Sequence, residues 1–166
     1  MINELQLLEK IIFKPIDLQI TDVVKDKECE EYLGFNFKVN EWNIKFRKSK
    51  ITPKKVGQFV TFWKRNEEKQ TEPFHLNDEF DFYIIAVFDE ANSGFFLFPK
   101  DILAKKQLIS TSEKEGKRGY RVYPDWVKTE NKQAEKTQTW QVNYFINLHD
   151  IDSEIIKKTN SILIQQ

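Results

Sequence analysis

The run DFYIIAVF, residues 81–88, limits the possible folds of this chain more than any other segment. After Asp81, apolar residues occupy odd and even positions alike, so a strand formed here has two apolar faces. Such a strand lies in the interior of a sheet that is covered on both sides. We therefore predict a central strand over residues 81–88, with other elements packed above and below it.

Shorter segments around this run carry the signals of half-buried strands. Residues 35–39 and 44–48 alternate between apolar and polar side chains, and the polar stretch between them predicts a hairpin with its tip at residues 40–43. Their content of β-forming residues predicts further strands at 58–63, 94–98 and 120–124.

Apolar residues at helical spacing, cap residues and helix-favouring composition indicate helices elsewhere. We predict helices at residues 2–13, from Pro99 to about Leu108, at 134–148 (where a strand fits equally well) and after a cap at Ser153, with a weaker short helix within 17–31. The sum is one α+β (mixed α/β) domain over residues 1–166, with a central mixed sheet of about five strands flanked by helices.

The cysteine content and the apolar runs indicate the cellular compartment. Cys29 is the only cysteine, which excludes an internal disulfide and a zinc cluster of several thiols and fits a reducing environment. The start MINELQLLEKIIF lacks the features of a signal peptide, and no run of 18 apolar residues could span a membrane. We expect a cytoplasmic protein with no membrane partner, and the sequence leaves the oligomeric state open.

The charges are balanced over the whole chain but are separated along it. The sequence has 26 basic and 26 acidic residues, yet residues 43–66 contain eight basic residues and no acid. Residues 67–90 then contain eight acids and a single lysine. A clustered basic surface attracts phosphates, whereas a solvated sheet face neutralised by the following acids is the structural alternative.

A second basic run, KEGKRGYRVYPDW at residues 114–126, repeats the combination of cations and aromatic residues. Two such runs favour a surface that binds the phosphate backbone of DNA or RNA, with aromatic side chains stacking on bases. The predicted nucleic-acid-binding residues are Arg47, Lys50, Lys54, Lys55, Lys64, Lys117 and Arg118 for phosphates, Thr52 and Arg121 in support, and Trp63 or Trp126 for stacking.

Four blocks in this order resemble the MepB family: FRKSKITPKKVGQFVTFWKR, EPFHLNDEFDFYII, FLFPK and EGKRGYRVYPDW. The resemblance covers roughly residues 30–145. It implies a restriction-endonuclease-like core, in which a mixed sheet lies between helices. Many nucleases and some inactive nucleic-acid binders use that fold, and the family's name comes from a gene beside a multidrug-export pump.

A nuclease of that fold would hold Mg²⁺ with a strand-borne Asp and a Glu-x-Lys or Asp-x-Lys pair. The sequence has three acid-x-Lys matches, at residues 67–69, 115–117 and 130–132, all in polar stretches where no strand is expected. The predicted strands at 44–48 and 58–63 contain no acid. The remaining candidates for a metal site are Asp78, Glu79, Asp81 and His75.

The sequence therefore favours a nucleic-acid-binding protein that needs no cofactor and has no catalytic residues. The sequence contains no motif for zinc binding, nucleotide binding, flavin binding or acyl transfer. Two alternatives stay open: a Mg²⁺-dependent nuclease using Asp78, Glu79 or Asp81, and a regulatory protein-interaction module linked to multidrug export.

Overall fold

The computed structural model describes residues 1–164, and its strands assemble into one large and two small sheets. In chain order the strands are β1 (Ile20–Lys25), β2 (Phe35–Val39), β3 (Trp42–Lys48), β4 (Lys50–Ile51), β5 (Gln58–Thr61), β6 (Trp63–Arg65), β7 (Thr71–Pro73), β8 (Phe82–Phe88), β9 (Ser93–Pro99), β10 (Gly119–Val122) and β11 (Phe145–Asn147). The α-helices are α1 (Asn3–Leu8), α2 (Lys100–Lys105), α3 (Lys132–Gln141) and α4 (Asp152–Ile164).

The large sheet is mixed and has six strands in the order β1-β2-β3-β8-β9-β11. Neighbouring strands are antiparallel except β3 and β8, which are parallel. This confirms the predicted fold class and the predicted central strand, because β8 lies inside the sheet and six of its seven residues are buried.

Side chains of β8 point alternately into two cores. Phe82, Ile84 and Ala86 belong to one core, which α1 and α4 cover. Tyr83 and Ile85 belong to the other core, which lies under α2, α3 and the small sheet β10-β5-β4. The result is three layers, with the large sheet in the middle.

The N-terminal helix forms for the reason that its apolar spacing predicts. Leu5, Leu8 and Ile12 are buried in the first core. The helix continues past α1 as a π-helical turn over Glu9–Phe13 and a 3-10 turn over Lys14–Ile16, and it ends at Asp17 in the left-handed conformation. No helix within residues 1–164 is long and apolar enough to cross a membrane.

Two strands of the large sheet differ from the predicted elements. Residues 20–25, within the segment predicted as a weak helix, form β1 against β2, with a register shift between Thr21 and Val24. Only Ile20 of this edge strand is buried, so no alternating pattern marks it in the sequence. The segment 134–148 is part helix and part strand, because α3 ends at Gln141 and β11 begins at Phe145.

The predicted strands at 58–63 and 120–124 lie outside the large sheet. Residues 58–61 form β5, which is central in the small sheet between β10 and β4. Phe62 interrupts the run and packs face to face on Tyr83, with ring centroids 3.9 Å apart. Residues 63–65 then form a separate hairpin with β7.

Candidate functional site

Arg47, the first predicted phosphate ligand, is part of the interior. Its side chain is 1% exposed, and its Nη2 donates to Asp26 Oδ2 at 2.6 Å. Its Nη1 donates to the Phe46 carbonyl at 2.8 Å. Gly34 makes room for this group, since a Cβ there would lie 3.0 Å from Nη1. A buried, paired guanidinium cannot reach a phosphate, so Arg47 is not part of an accessible binding surface.

Lys64 is neutralised by the acidic segment that follows it in the sequence. Its Nζ lies 2.6 Å from Asp78 Oδ1 and 3.6 Å from Glu72 Oε1. The second contact follows from the hairpin, in which Lys64 and Glu72 are directly opposed. The neighbouring Trp63 is half-buried, and the guanidinium of Arg65 lies over its ring at 5.3 Å.

Two more predicted cations, Lys50 and Arg118, are exposed but have carboxylate neighbours. Lys50 Nζ lies 3.8 Å from Glu31 and 4.5 Å from the centroid of the Tyr32 ring. Arg118 lies 3.5 Å from Glu115 and donates to the Thr71 carbonyl at 3.0 Å. Exposed pairs of this kind are weak and can exchange with solvent ions.

Three of the remaining predicted cations, Lys55, Lys117 and Arg121, line one open cleft of about 750 Å³ between β10 and α3. Four cations from three segments line this basic cleft, together with a single carboxylate, Glu130. The lining residues are Lys55, Val56, Phe59, Lys106, Leu108, Lys117, Gly119, Tyr120, Arg121, Tyr123, Glu130, Asn131, Gln133, Ala134, Thr137, Trp140 and Gln141.

The cations of the basic cleft form no ion pairs with the described residues, although Glu130 lies in the same lining. Within residues 1–164, no carboxylate oxygen lies within 4.0 Å of the charged groups of Lys55, Lys106, Lys117 or Arg121. The same holds for Lys54, which is exposed beside Lys55. The sequence did not single out Lys106, whose only signal is the pair of lysines at the end of α2.

Arg121 holds the loop that carries Lys54 and Lys55. Its Nη2 donates to Thr52 Oγ1, and its Nη1 donates to the Val56 carbonyl at 3.2 Å. The supporting pair predicted from the sequence, Thr52 and Arg121, is therefore in direct contact. The contact joins loop 52–57 to β10, so the two basic runs of the sequence meet at one wall of the cleft.

Aromatic rings line both walls of the basic cleft. Phe59 and Tyr123 belong to the sheet wall, and the half-buried Trp140 belongs to α3. Lys106 Nζ lies 5.5 Å from the centroid of the Trp140 ring. The predicted stacking residues are elsewhere: Trp126 packs edge-on against Phe145 at 5.4 Å, and neither it nor Trp63 lines the cleft.

The two walls are joined by Gln141, which is 1% exposed. Its Nε2 donates to the Arg121 carbonyl at 3.0 Å, and its Oε1 accepts from the Tyr123 amide at 2.8 Å. Tyr120 directly precedes Arg121 on β10, and burial there raises the pKa of its hydroxyl well above the ordinary value. That hydroxyl has no hydrogen-bond partner among the described residues.

The candidate metal ligands do not form a site. Asp78 accepts from Lys64 and from the His75 amide at 2.7 Å, and Asp81 accepts from the Asn43 amide at 2.7 Å. Glu79 is exposed. Within residues 1–164, no three side chains among His, Cys, Asp and Glu lie close enough to hold a metal ion. Asp78 and Asp81 are thus already engaged by a lysine and by backbone amides.

Comparisons with known proteins identify one family and two solved structures to which this chain is similar. The MepB-like family model matches residues 26–147, which contain the blocks that carry the resemblance. A crystal structure of MepB is 36% identical to this chain with a TM-score of 0.79, and the match covers 91% of this chain and 100% of that one. A bacterial homing endonuclease is 14% identical to this chain with a TM-score of 0.41. The match covers 81% of this chain and 89% of that one. No curated protein matches.

Proposed function

This chain belongs to the MepB-like family, and we propose that it binds nucleic acid by holding the phosphate backbone of DNA or RNA at the basic cleft. The observation that carries the proposal is the contrast in pairing. Among residues 1–164, no carboxylate oxygen lies within 4.0 Å of the cations at the cleft, whereas Arg47 and Lys64 each have such a partner. Unpaired cations around a concave surface attract a polyanion and release its counterions on binding.

The proposal replaces part of the surface expected from the sequence. The proposed phosphate-binding group is Lys55, Lys106 and Lys117 in the cleft and the exposed Lys54 beside it, with Arg121 positioning loop 52–57. Arg118 and Lys50 lie at the surface as secondary contacts. Because these are phosphate contacts, we expect strong dependence on salt and little dependence on base sequence.

The test is binding of labelled DNA and RNA oligonucleotides, followed by fluorescence anisotropy at several salt concentrations. The variant K55Q/K117Q should lose about tenfold or more in affinity and should reduce the slope of log K against log salt by between about 1 and 2. The matched control is K10Q/K157Q, which removes the same charge from exposed sites on the α1 and α4 side of the large sheet. No measurable binding at low salt, or equal losses in both variants, would refute the proposal.

The same samples separate the other two functions expected from the sequence. Incubation of plasmid and single-stranded DNA with Mg²⁺ or Mn²⁺ should leave both intact. Cleavage that disappears in an Asp81→Ala variant would instead establish a nuclease. An acidic protein partner that remains bound after nuclease treatment, with no affinity for oligonucleotides, would establish the interaction module.

A further inference from the structure

We infer that the basic cleft takes unpaired nucleotides, with a base against its aromatic wall and the adjoining phosphates on its lysines. This inference rests on the proposed function and narrows its substrate to single-stranded nucleic acid or single-stranded ends. The cations alone would serve any phosphate backbone. The preference for single strands is inferred from the aromatic rings that line the cleft and from the size of the cleft.

Two rings of the sheet wall lie directly on glycine backbone. A Cβ at Gly119 would lie 2.7 Å from Phe59 Cζ, and a Cβ at Gly57 would lie 2.7 Å from Tyr123 Cδ1. The rings of Phe59 and Tyr123 are therefore packed against the chain on one side, and both line the cleft. Rings fixed in this way lose little conformational freedom when a base stacks on them.

The opposite wall supplies a third ring and polar groups. Trp140 and Thr137 line the cleft from α3, Gln133 from the first turn of that helix and Asn131 from its N-cap. The Oδ1 of Asn131 caps α3, because it accepts a hydrogen bond from the Ala134 amide at 2.8 Å. Gln133 is exposed and can donate to and accept from the edge of a base.

The shape of the cleft favours an unpaired base over a duplex. Its volume of about 750 Å³ lies within the range of about 300–1,000 Å³ that is usual for sites that enclose a small ligand. Bases within a duplex are stacked on one another and offer only their edges in the grooves. An unpaired base exposes its flat face, and a base stacked on an aromatic side chain contributes about tenfold in affinity.

The experiment compares four ligands under identical low-salt conditions: a single-stranded oligonucleotide, the matching blunt duplex, the same duplex with a single-stranded overhang, and a free mononucleotide. We expect the single strand and the overhang duplex to bind at least about tenfold more tightly than the blunt duplex. A mononucleotide that competes as well as the oligonucleotide would overturn the inference, because the site would then belong to a small molecule.

Variants of the rings complete the test. Y123L should weaken binding of the single strand about tenfold and leave the blunt duplex unchanged, whereas Y123F should bind like the unaltered protein. The control is W63L, which removes a half-buried ring outside the cleft. F59L provides a second removal if Y123L folds poorly, and denaturant unfolding of each variant detects that failure.

The two proposals fail in different ways. If no ligand binds, the proposed function is wrong. If the blunt duplex binds as tightly as the single strand and K55Q/K117Q weakens both, the proposed function stands and the inference on single strands is overturned. Equal losses for single strand and duplex in Y123L would overturn it as well.

Discussion

The cations of the core and the β6–β7 hairpin differ from those of the basic cleft in what surrounds them. Arg47 and Lys64 each lie 2.6 Å from a carboxylate, of Asp26 and Asp78 respectively. Lys55 and Lys117 have no carboxylate within 4.0 Å among the described residues. A basic run in a sequence thus contains two kinds of cation, and only the unpaired kind can bind an external anion without first breaking a contact.

The largest effect should come from breaking the buried pair. In Arg47→Leu, the Asp26 carboxylate, 16% exposed, loses its partner. We expect the free energy of unfolding to fall by about 3–5 kcal/mol, because removing one partner of a largely buried ion pair is costly. Urea denaturation measures the change. The double variant R47L/D26L should recover part of the loss, and a loss below about 1 kcal/mol in Arg47→Leu would show that this cation is not structural.

The loop beside the cleft should respond strongly to a change at Gly57. This residue has φ +77°, and an added Cβ would meet the Tyr123 ring at 2.7 Å. Gly57→Ala should therefore cost about 1–3 kcal/mol of stability and also weaken oligonucleotide binding, since loop 52–57 carries Lys54 and Lys55. In G57A/Y123A the steric part of the cost should disappear and the conformational part should remain.

Lys64 and Lys55 should give opposite results when each is replaced by methionine. Lys64→Met breaks a half-buried, charge-assisted hydrogen bond to Asp78, so stability should fall by about 1–2 kcal/mol and oligonucleotide affinity should stay unchanged. Lys55→Met should leave stability unchanged and lower the affinity severalfold. Parallel denaturation and anisotropy measurements test both. Equal loss of affinity in the two variants would remove the distinction between paired and unpaired cations.

The smallest effect is expected at Tyr120, where the side chain borders the cleft. Its buried hydroxyl has no described partner, so Tyr120→Phe should leave stability unchanged or raise it by up to about 1 kcal/mol. Tyr83→Phe is the matched control, because the Tyr83 hydroxyl donates to the Thr61 carbonyl at 3.0 Å and its loss should cost about 1 kcal/mol.

The stability of the protein should depend on pH through the same tyrosine, Tyr120. Burial raises the pKa of the Tyr120 hydroxyl in the folded protein, whereas in the unfolded chain it ionises near its usual pKa of about 10. Above that pH the unfolded state binds fewer protons than the folded state, so the free energy of unfolding falls as pH rises. Denaturation at neutral and alkaline pH should show a shallower fall in Tyr120→Phe than in the unaltered protein.

The sequence predicts the parts of this fold that depend on local pattern. The central strand β8 was predicted because burial on both faces makes its run continuously apolar. The hairpin of β2 and β3 was predicted because apolar and polar residues alternate along its strands. Strand β1 was not, because a single buried residue leaves no period. Its pairing comes from β2, so it depends on tertiary context rather than on propensity.

The candidate site was predictable only in part, because ion pairing and clefts depend on residues distant in the sequence. Lys55, Lys117 and Arg121 could be selected from charge runs. The sequence could not show whether a cation in those runs has a carboxylate partner, since the partner of Arg47 lies 21 residues away. Lys106 and Trp140 reach the cleft from α2 and α3, and no charge run marks either of them.

Gln141 has a consequence for how the molecule behaves in a crowded solution. An outermost strand with free amides and carbonyls is a template on which another chain can add, which leads to aggregation. The outermost strand β10 is occupied there by an amide side chain that copies the hydrogen bonds of a neighbouring strand, at the Arg121 carbonyl and the Tyr123 amide. At these two positions the backbone beside the cleft is already hydrogen-bonded and offers no free group to an added strand.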